Sequence, residues 1–284
     1  MKIIRSINNL KQIIKIFRDK NYIISLIPTM GNIHDGHLNL VKKAKLMNTT
    51  CIVSIFINPT QFDQLYDFNN YPRSIKLDCK KLMVYNVDIV FIPSVLTMYP
   101  SGINNYTCMY VPVLSEILEG SKRLNHYKGV TTIISKLFNL IKPNLAFFGE
   151  KDFQQLVIIK RMVHDMHYNI KIISVPTVRE INGLAYSSRN TLLSKDEYKI
   201  AHKFYLTLKS MADKLQNNIH YVTDLIKITT HQLEKIGFLV DSLYVLDSKN
   251  LTCITNNSKN IIILSTVWLG KTRLIDNIKV EIFK

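Results

Sequence analysis

Cysteine is scarce. Its four copies among 284 residues, Cys51, Cys79, Cys108 and Cys253, are far apart, and none forms a Cys-x-x-Cys pair or a zinc-type Cys/His spacing. That pattern predicts reduced, structural thiols rather than a disulfide framework or a zinc site. Long apolar runs are also missing. Nothing approaches the roughly 20 residues of a membrane span, and the first nine residues carry charge without a signal-peptide core. A soluble, cytoplasmic protein with no membrane partner is expected. Acidic residues are few, 21 against 37 basic ones, for a formal charge of +16. Such a balance suits nucleic acid, acidic lipid or an anionic substrate. There is, however, no block of like charge and no arginine-rich arm. The lysines are scattered among abundant Asn and Ile, as codons rich in A and T produce. A small anion fits as well as a polymer, so no nucleic-acid partner is expected. A basic RNA-binding protein stays open as an alternative of a different class. Repeats and low-complexity tracts are absent too.

What is present is apolar substance: 47% of residues are hydrophobic, enough for one large or two modest domains. In the first half, strand-like and helical patterns alternate. Helices are expected at 8–19, 36–47, 74–85, 129–140 and 153–166, and strands at 22–27, 50–57, 87–92, 145–148 and 171–176. This alternation predicts an α/β fold with a Rossmann-like doubly wound parallel sheet, whose ligands bind at the carboxyl ends of strands. Beyond about residue 180 two helices (194–215, 221–236) and short strands (240–246, 261–268, 272–275) predict a second, smaller α+β domain. The expected domains are 1–178 and 179–284. Surface turns are expected at 216–218 and 256–260.

The densest chemistry lies in Pro28-Thr29-Met30-Gly31-Asn32-Ile33-His34-Asp35-Gly36-His37, between an expected strand and an expected helix. Two histidines three residues apart at a helix mouth suit a polyphosphate. Free backbone N–H groups and the helix dipole attract anions there, and the imidazoles can donate to phosphate oxygens. A nucleotide triphosphate is the indicated ligand; surface or capping histidines are the plainer alternative.

Three further clusters follow expected strands or turns. Asn58-Pro59-Thr60-Gln61 offers two carboxamides around a rigid proline, suited to a hydroxy acid or simply a polar loop. Gly149-Glu150-Lys151-Asp152 offers room for close approach, a point charge for phosphate, and a carboxylate for a ribose hydroxyl or hydrated Mg²⁺. Tyr186-Ser187-Ser188-Arg189 offers hydroxyls and a guanidinium for phosphates, or a helix N-cap with a surface arginine. More weakly, Arg123 is a candidate for an anionic group, with His126 orienting its loop.

Together with Tyr71-Pro72-Arg73, Glu119-Gly120, Pro176-Thr177-Val178-Arg179 and Arg273-Leu274-Ile275-Asp276-Asn277, these motifs resemble the pantoate–β-alanine ligase family along nearly the whole chain. That family belongs to the His-x-Gly-His nucleotidyltransferases. The resemblance implies a Rossmann-like catalytic domain, a C-terminal lid and a homodimer. It implies ATP-dependent condensation of pantoate with β-alanine through a pantoyl-adenylate, releasing AMP and pyrophosphate, with Mg²⁺ accompanying ATP. Carried over, Met30, Gly31, Asn32, Ile33, His34, Asp35, Gly36 and His37 line the ATP site, with His37 the acid. Gly149, Glu150, Lys151, Asp152 and Val178 also hold ATP, and Tyr186, Ser187, Ser188 and Arg189 close over it. His34, Lys151 and Arg189 join His37 in catalysis. Gln61, Gln155, Asn58 and Arg123 bind substrate; no metal ligands are implied. Departures from the family pattern are Leu124, Tyr127, Tyr186 and Asp63. Another adenylyl- or cytidylyltransferase is the alternative within the superfamily.

Overall fold

The computed structural model describes residues 1–63, 65–217, 221–255 and 258–282. They form two compact units, Met1–Pro176 and Thr177–Lys284.

The first unit runs β1 (Lys2–Ile4), α1 (Ile7–Asp19), β2 (Ile24–Thr29), α2 (Asp35–Leu46), β3 (Thr50–Ile55), α3 (Leu65–Asn70), α4 (Ile75–Val84), β4 (Ile89–Phe91), α5 (Val95–Met98), α6 (Glu119–Lys122), α7 (His126–Ile141), β5 (Leu145–Gly149), α8 (Phe153–Asp165) and β6 (Lys171–Val175). Among the described residues six strands make one parallel sheet in the order β1-β4-β3-β2-β5-β6. The expected α/β doubly wound architecture is observed. Residues alternate between its faces. Ile24, Leu26, Ile52, Phe91 and Phe148 join the core cluster that holds Leu10 of α1, Leu137 of α7 and Ile158 of α8. Ile27, Val53, Val90 and Phe147 join Val41 of α2 and Leu82 of α4. Each such buried side chain contributes about 1.5–3 kcal/mol. Winding proceeds outward from β2 to β4, then restarts on the other side with β5. The carboxyl ends of β2 and β5 therefore flank the switch point where open α/β sheets bind ligands.

Several bounds differ from expectation here: α7 begins at His126 rather than 129, β3 ends at Ile55 rather than 57, and β4 covers only Ile89–Phe91. β2 runs over Ile24–Thr29, two residues later than its apolar pattern suggests, because Asn21 adopts a left-handed φ of 56° and turns the chain after α1. Pro28 and Thr29 thus belong to the strand. β1 has no counterpart in the sequence reading; three residues are too few to show a period, and only its pairing with β4 defines it.

The second unit holds α9 (Lys195–Ala201), α10 (Lys203–Asn217), α11 (Val222–Ile236) and an antiparallel sheet of β7 (Leu239–Asp247), β8 (Asn260–Leu269) and β9 (Thr272–Glu281) in that order. This is the smaller α+β domain. The single helix expected at 194–215 is divided at His202; Ser194 and Glu197 form a capping box that sets the short α9 apart. β9 outruns its expected four residues by following β8 in register to Glu281. Of the expected surface turns, Gln216 and Asn217 belong to α10 and Asn260 opens β8, while 218, 256 and 257 lie outside the described residues.

Candidate active site

The β2–α2 turn is locked atom by atom. The Thr29 hydroxyl donates to the Ser54 carbonyl at 2.8 Å and accepts the Gly31 N–H at 3.2 Å. Gly31 has φ +85° and Asn32 φ 49°, two left-handed residues in succession; a Cβ on Gly31 would stand 3.1 Å from Asp78 Oδ2. Asp78 of α4, only 1% exposed, accepts the N–H groups of Asn32 (2.9 Å) and Ile33 (2.8 Å) and the Ser74 hydroxyl (3.0 Å). Lys81 donates to the Ile33 carbonyl at 2.5 Å. His34 is the N-cap of α2, and its N–H donates to His37 Nδ1 at 3.4 Å; the two rings lie 4.0 Å apart. With Nδ1 accepting, neutral His37 carries its proton on Nε2.

The backbone N–H groups expected to be free for phosphate are thus engaged from Gly31 to His34. The first-turn N–H groups of Asp35 and Gly36, which lack intrahelical partners by construction, are what α2 can offer an anion. The capping alternative is true as well: His34 caps α2 and still sits beside His37.

Burial, then the charges of Lys151 and Lys81, lower the His34 pKa to about 4. Burial, then His34, Lys151 and Lys81, hold His37 well below 6.5. Both rings are therefore uncharged at neutral pH, and His37 is a hydrogen-bond donor rather than a standing cation. Lys151, just past the β5 end, is close enough for its charge to act on both rings. There Gly149 leads into a short turn, Glu150–Asp152, that opens α8. A Cβ on Gly149 would meet nothing within 4 Å, so this glycine leaves open space rather than relieving strain.

At the β3 end a neutral network surrounds Gln61. Asn58, 1% exposed, accepts at Oδ1 from Tyr99 (2.8 Å) and Thr60 (3.0 Å). Its amide then donates to Gln61 Oε1 (3.2 Å) and to the Gly129 carbonyl (3.0 Å). Gln61 is left with Nε2 as donor, 3.0 Å from Met30 Sδ. Burial pushes the Tyr99 phenol up to about 12, so it remains protonated. Gly129 of α7 touches this turn directly; a Cβ there would lie 2.4 Å from the Thr60 carbonyl oxygen and 2.7 Å from the Gln61 nitrogen. His126 Nδ1 donates to the Gln61 carbonyl at 2.7 Å.

Arg123 pairs with Asp63 at 3.0 Å and reaches the Gln61 carbonyl at 3.5 Å. Two departures from the family pattern meet in that loop: Asp63 supplies the ion pair, and Leu124 is 74% exposed. Gln155 is half-buried at the start of α8. Its neighbour Gln154 accepts the Glu119 N–H and donates to the carbonyls of Leu114 and Ile117.

In the second unit Arg179 forms a two-pronged pair with Asp276 (2.6 and 2.9 Å), donates to the carbonyls of Gly183 and Asn277, and stacks 3.8 Å over Tyr205. It opens a hairpin, bridged from Arg179 to Ala185, in which the Tyr186 N–H donates to Val178. Ser187 caps the next turn by accepting the Arg189 N–H at 3.2 Å, so the N-cap alternative holds for Ser187; Ser188 and Arg189 follow it, half-buried.

Asp78, Lys81, Tyr99 and Gln154 escaped the sequence reading. For Asp78 a signal exists. It falls beside Cys79 and Leu82 on α4, and a carboxylate on a buried face demands partners. Among the described residues no group of three or more His, Cys, Asp or Glu is placed to hold a metal.

A parallel sheet with a histidine pair at the helix mouth beside its switch point defines a Rossmann-like nucleotide-binding α/β protein. The family model for pantoate-β-alanine ligase matches residues 2–279. The chain is 50% identical over 281 residues to the pantothenate synthetase of Buchnera aphidicola subsp. Schizaphis graminum, covering 99% of each. It superposes on the pantothenate synthetase of Thermus thermophilus with a TM-score of 0.90 at 33% identity, covering 98% of this chain and 99% of that one. On the pantoate-β-alanine ligase of Francisella tularensis, complexed with β,γ-ATP and β-alanine, the TM-score is 0.81 at 35% identity, covering 98% and 97%. The chain belongs to the pantoate-β-alanine ligase family.

Proposed function

We propose that this chain condenses pantoate with β-alanine at the expense of ATP, forming pantothenate through a pantoyl-adenylate. The observation that carries the proposal is the neutral His34–His37 pair at the α2 mouth, beside Lys151, at the end of β2. The pantoate carboxylate attacks the α-phosphorus in line, and charge grows on the departing pyrophosphate. Donors already in place stabilise that charge without reorganising. His34, His37 and Lys151 fill this role, and Ser187, Ser188 and Arg189 are assigned to it on their chemistry. Gln61 Nε2 is free to donate to the pantoate carboxylate in exchange for Met30 Sδ, a weak acceptor. Asn58 orients Gln61, and Gln155 is the second pantoate contact. Arg123 acts through the Gln61 carbonyl. The β-alanine amine then attacks the acyl carbon and AMP leaves.

Met30, Gly31, Asn32, Ile33, Asp35, Gly36, Gly149, Glu150, Asp152, Val178 and Tyr186 complete the proposed ATP site. Mg²⁺ bound to ATP would take most of its ligands from phosphate and water, with Asp152 the carboxylate that would hold it, and would neutralise phosphate charge. Domains of 1–178 (catalytic) and 179–284 (lid), a homodimer and a cytoplasmic location belong to the same proposal. The test is AMP formation from ATP and pantoate, with and without β-alanine. β-Alanine-dependent AMP is expected; its absence sinks the proposal, and nucleotidylated product that ignores the amine points to another transferase.

A further inference from the structure

We propose that Asp78 and Lys81 are positioning residues for the adenylation step. They clamp both ends of the Ile33 residue, Asp78 its N–H and Lys81 its carbonyl, and so hold the His34–His37 pair in working geometry. This inference rests on the proposed adenylation. Three observations carry it. First, the turn needs an external anchor. Gly31 and Asn32 are consecutive left-handed residues, and two adjacent N–H groups converge there in a nest shaped for an anion. One carboxylate, Asp78, fills that nest at 2.9 and 2.8 Å. Second, both anchors belong to one rigid element. Asp78 and Lys81 are three residues apart on α4 and lie on neighbouring positions of the same face. A shift of α4 therefore moves the turn as a unit. Third, the clamp leads straight to the histidines. Ile33 precedes His34, the N-cap, whose own N–H fixes the tautomer of His37.

The Asp78 carboxyl also lines a cleft of about 230 Å³ with Met30, Gly31, Ser74 and Ser94. A small carboxylate can reach the place the side chain would vacate. The charges that act on the histidine pair are Lys151 from the β5 end and Lys81 from α4, with Asp35 in the first turn of α2 and Asp78 on the turn's backbone. Lys81 thus has two effects, one on geometry and one on the field at the rings.

Both effects can be read separately in the full-length protein. D78A is expected to slow pyrophosphate release from ATP and pantoate on the order of 10²-fold, the loss that a displacement near 1 Å brings, with the pantoate KM unchanged. Formate should restore at least part of the rate to D78A and leave the wild type untouched. K81M should lose rate and move the acid limb of kcat/KM for ATP to higher pH. A D78A protein that melts earlier but turns over normally per folded molecule overturns the proposal. So does a loss that formate never repairs together with an unmoved acid limb in K81M. Should D78A fail to fold, D78N takes its place, since a carboxamide oxygen can replace only one of two acceptors. Imidazole ¹⁵N shifts recorded without substrate separate this inference from the functional one. If the wild type releases no pyrophosphate, the reaction is wrong; displaced His34 and His37 signals in D78A, reversed by formate, still establish the clamp, and unmoved signals refute it.

Discussion

The turns that follow β2 and β3 leave neighbouring parallel strands, yet they are held in opposite ways. After β2 the anchors are charged: a buried carboxylate on two N–H groups and an ammonium on a carbonyl. After β3 the groups that orient the Gln61 amide are neutral: a phenol, a hydroxyl and a carboxamide passing polarity from Tyr99 through Asn58. The difference matches what each turn is proposed to meet. A triphosphate tolerates a neighbouring carboxylate only if that carboxylate is fully satisfied, as Asp78 is. A carboxylate substrate is better met by an amide whose N–H is turned outward by neutral partners, the one carboxylate of that turn, Asp63, being paired with Arg123. One turn is tuned by field, the other by direction.

His37→Ala tests this division most severely. Losing one donor to developing charge costs about 10²–10³ in rate, so pyrophosphate release should fall by that factor while the pantoate KM holds. A shifted pantoate KM would blur the two turns into one. The charged turn should also make stability depend on pH, and the sign is fixed. His34 is depressed from 6.5 to about 4, so the unfolded chain takes up the proton first. The contribution is fully present above pH 6.5 and is lost as pH falls toward 4, amounting to about 3 kcal/mol. Urea midpoints of the wild type should drop faster over that window than those of His34→Gln. Smaller effects are expected at the neutral turn. Gln61→Ala should raise the pantoate KM about tenfold, near 1.4 kcal/mol. Tyr99→Phe removes one hydrogen bond to Asn58 and should raise it a few-fold, about 1 kcal/mol, leaving the ATP KM alone. Equal shifts in both KM values for either variant would deny that this turn acts by direction.

The sequence carries the layered sheet because its period is local: each apolar run and each amphipathic stretch declares itself within a dozen residues. The histidine pair is legible for the same reason, since spacing and helix mouth are adjacent. What holds the pair is not. Asp78 meets Asn32 from 46 residues away, and only its place on a buried face of α4 betrays it. Tyr99 reads as an ordinary core aromatic until Asn58 is seen against it. The fate of the turn's N–H groups is invisible for the same reason, because the expectation that they were free counted only nearby acceptors. β1 needed a partner strand to exist at all. In the second unit, Ser187 follows the ordinary capping chemistry of its residue type, whereas the pairing of Arg179 with Asp276 joins residues 97 apart.

Gly129 gives the β3 turn a further property. Its helix presses on Thr60 and Gln61 so closely that the smallest side chain would stand 2.4 Å from a carbonyl oxygen. In a chain crowded with Lys, Asn and Ile and holding only nine glycines, that position is closed to mutational drift. Any side chain there pries the helix from the turn. Helix α7 and the Gln61 loop are therefore one part mechanically, and the position of that carboxamide is inherited from a place where no side chain can stand.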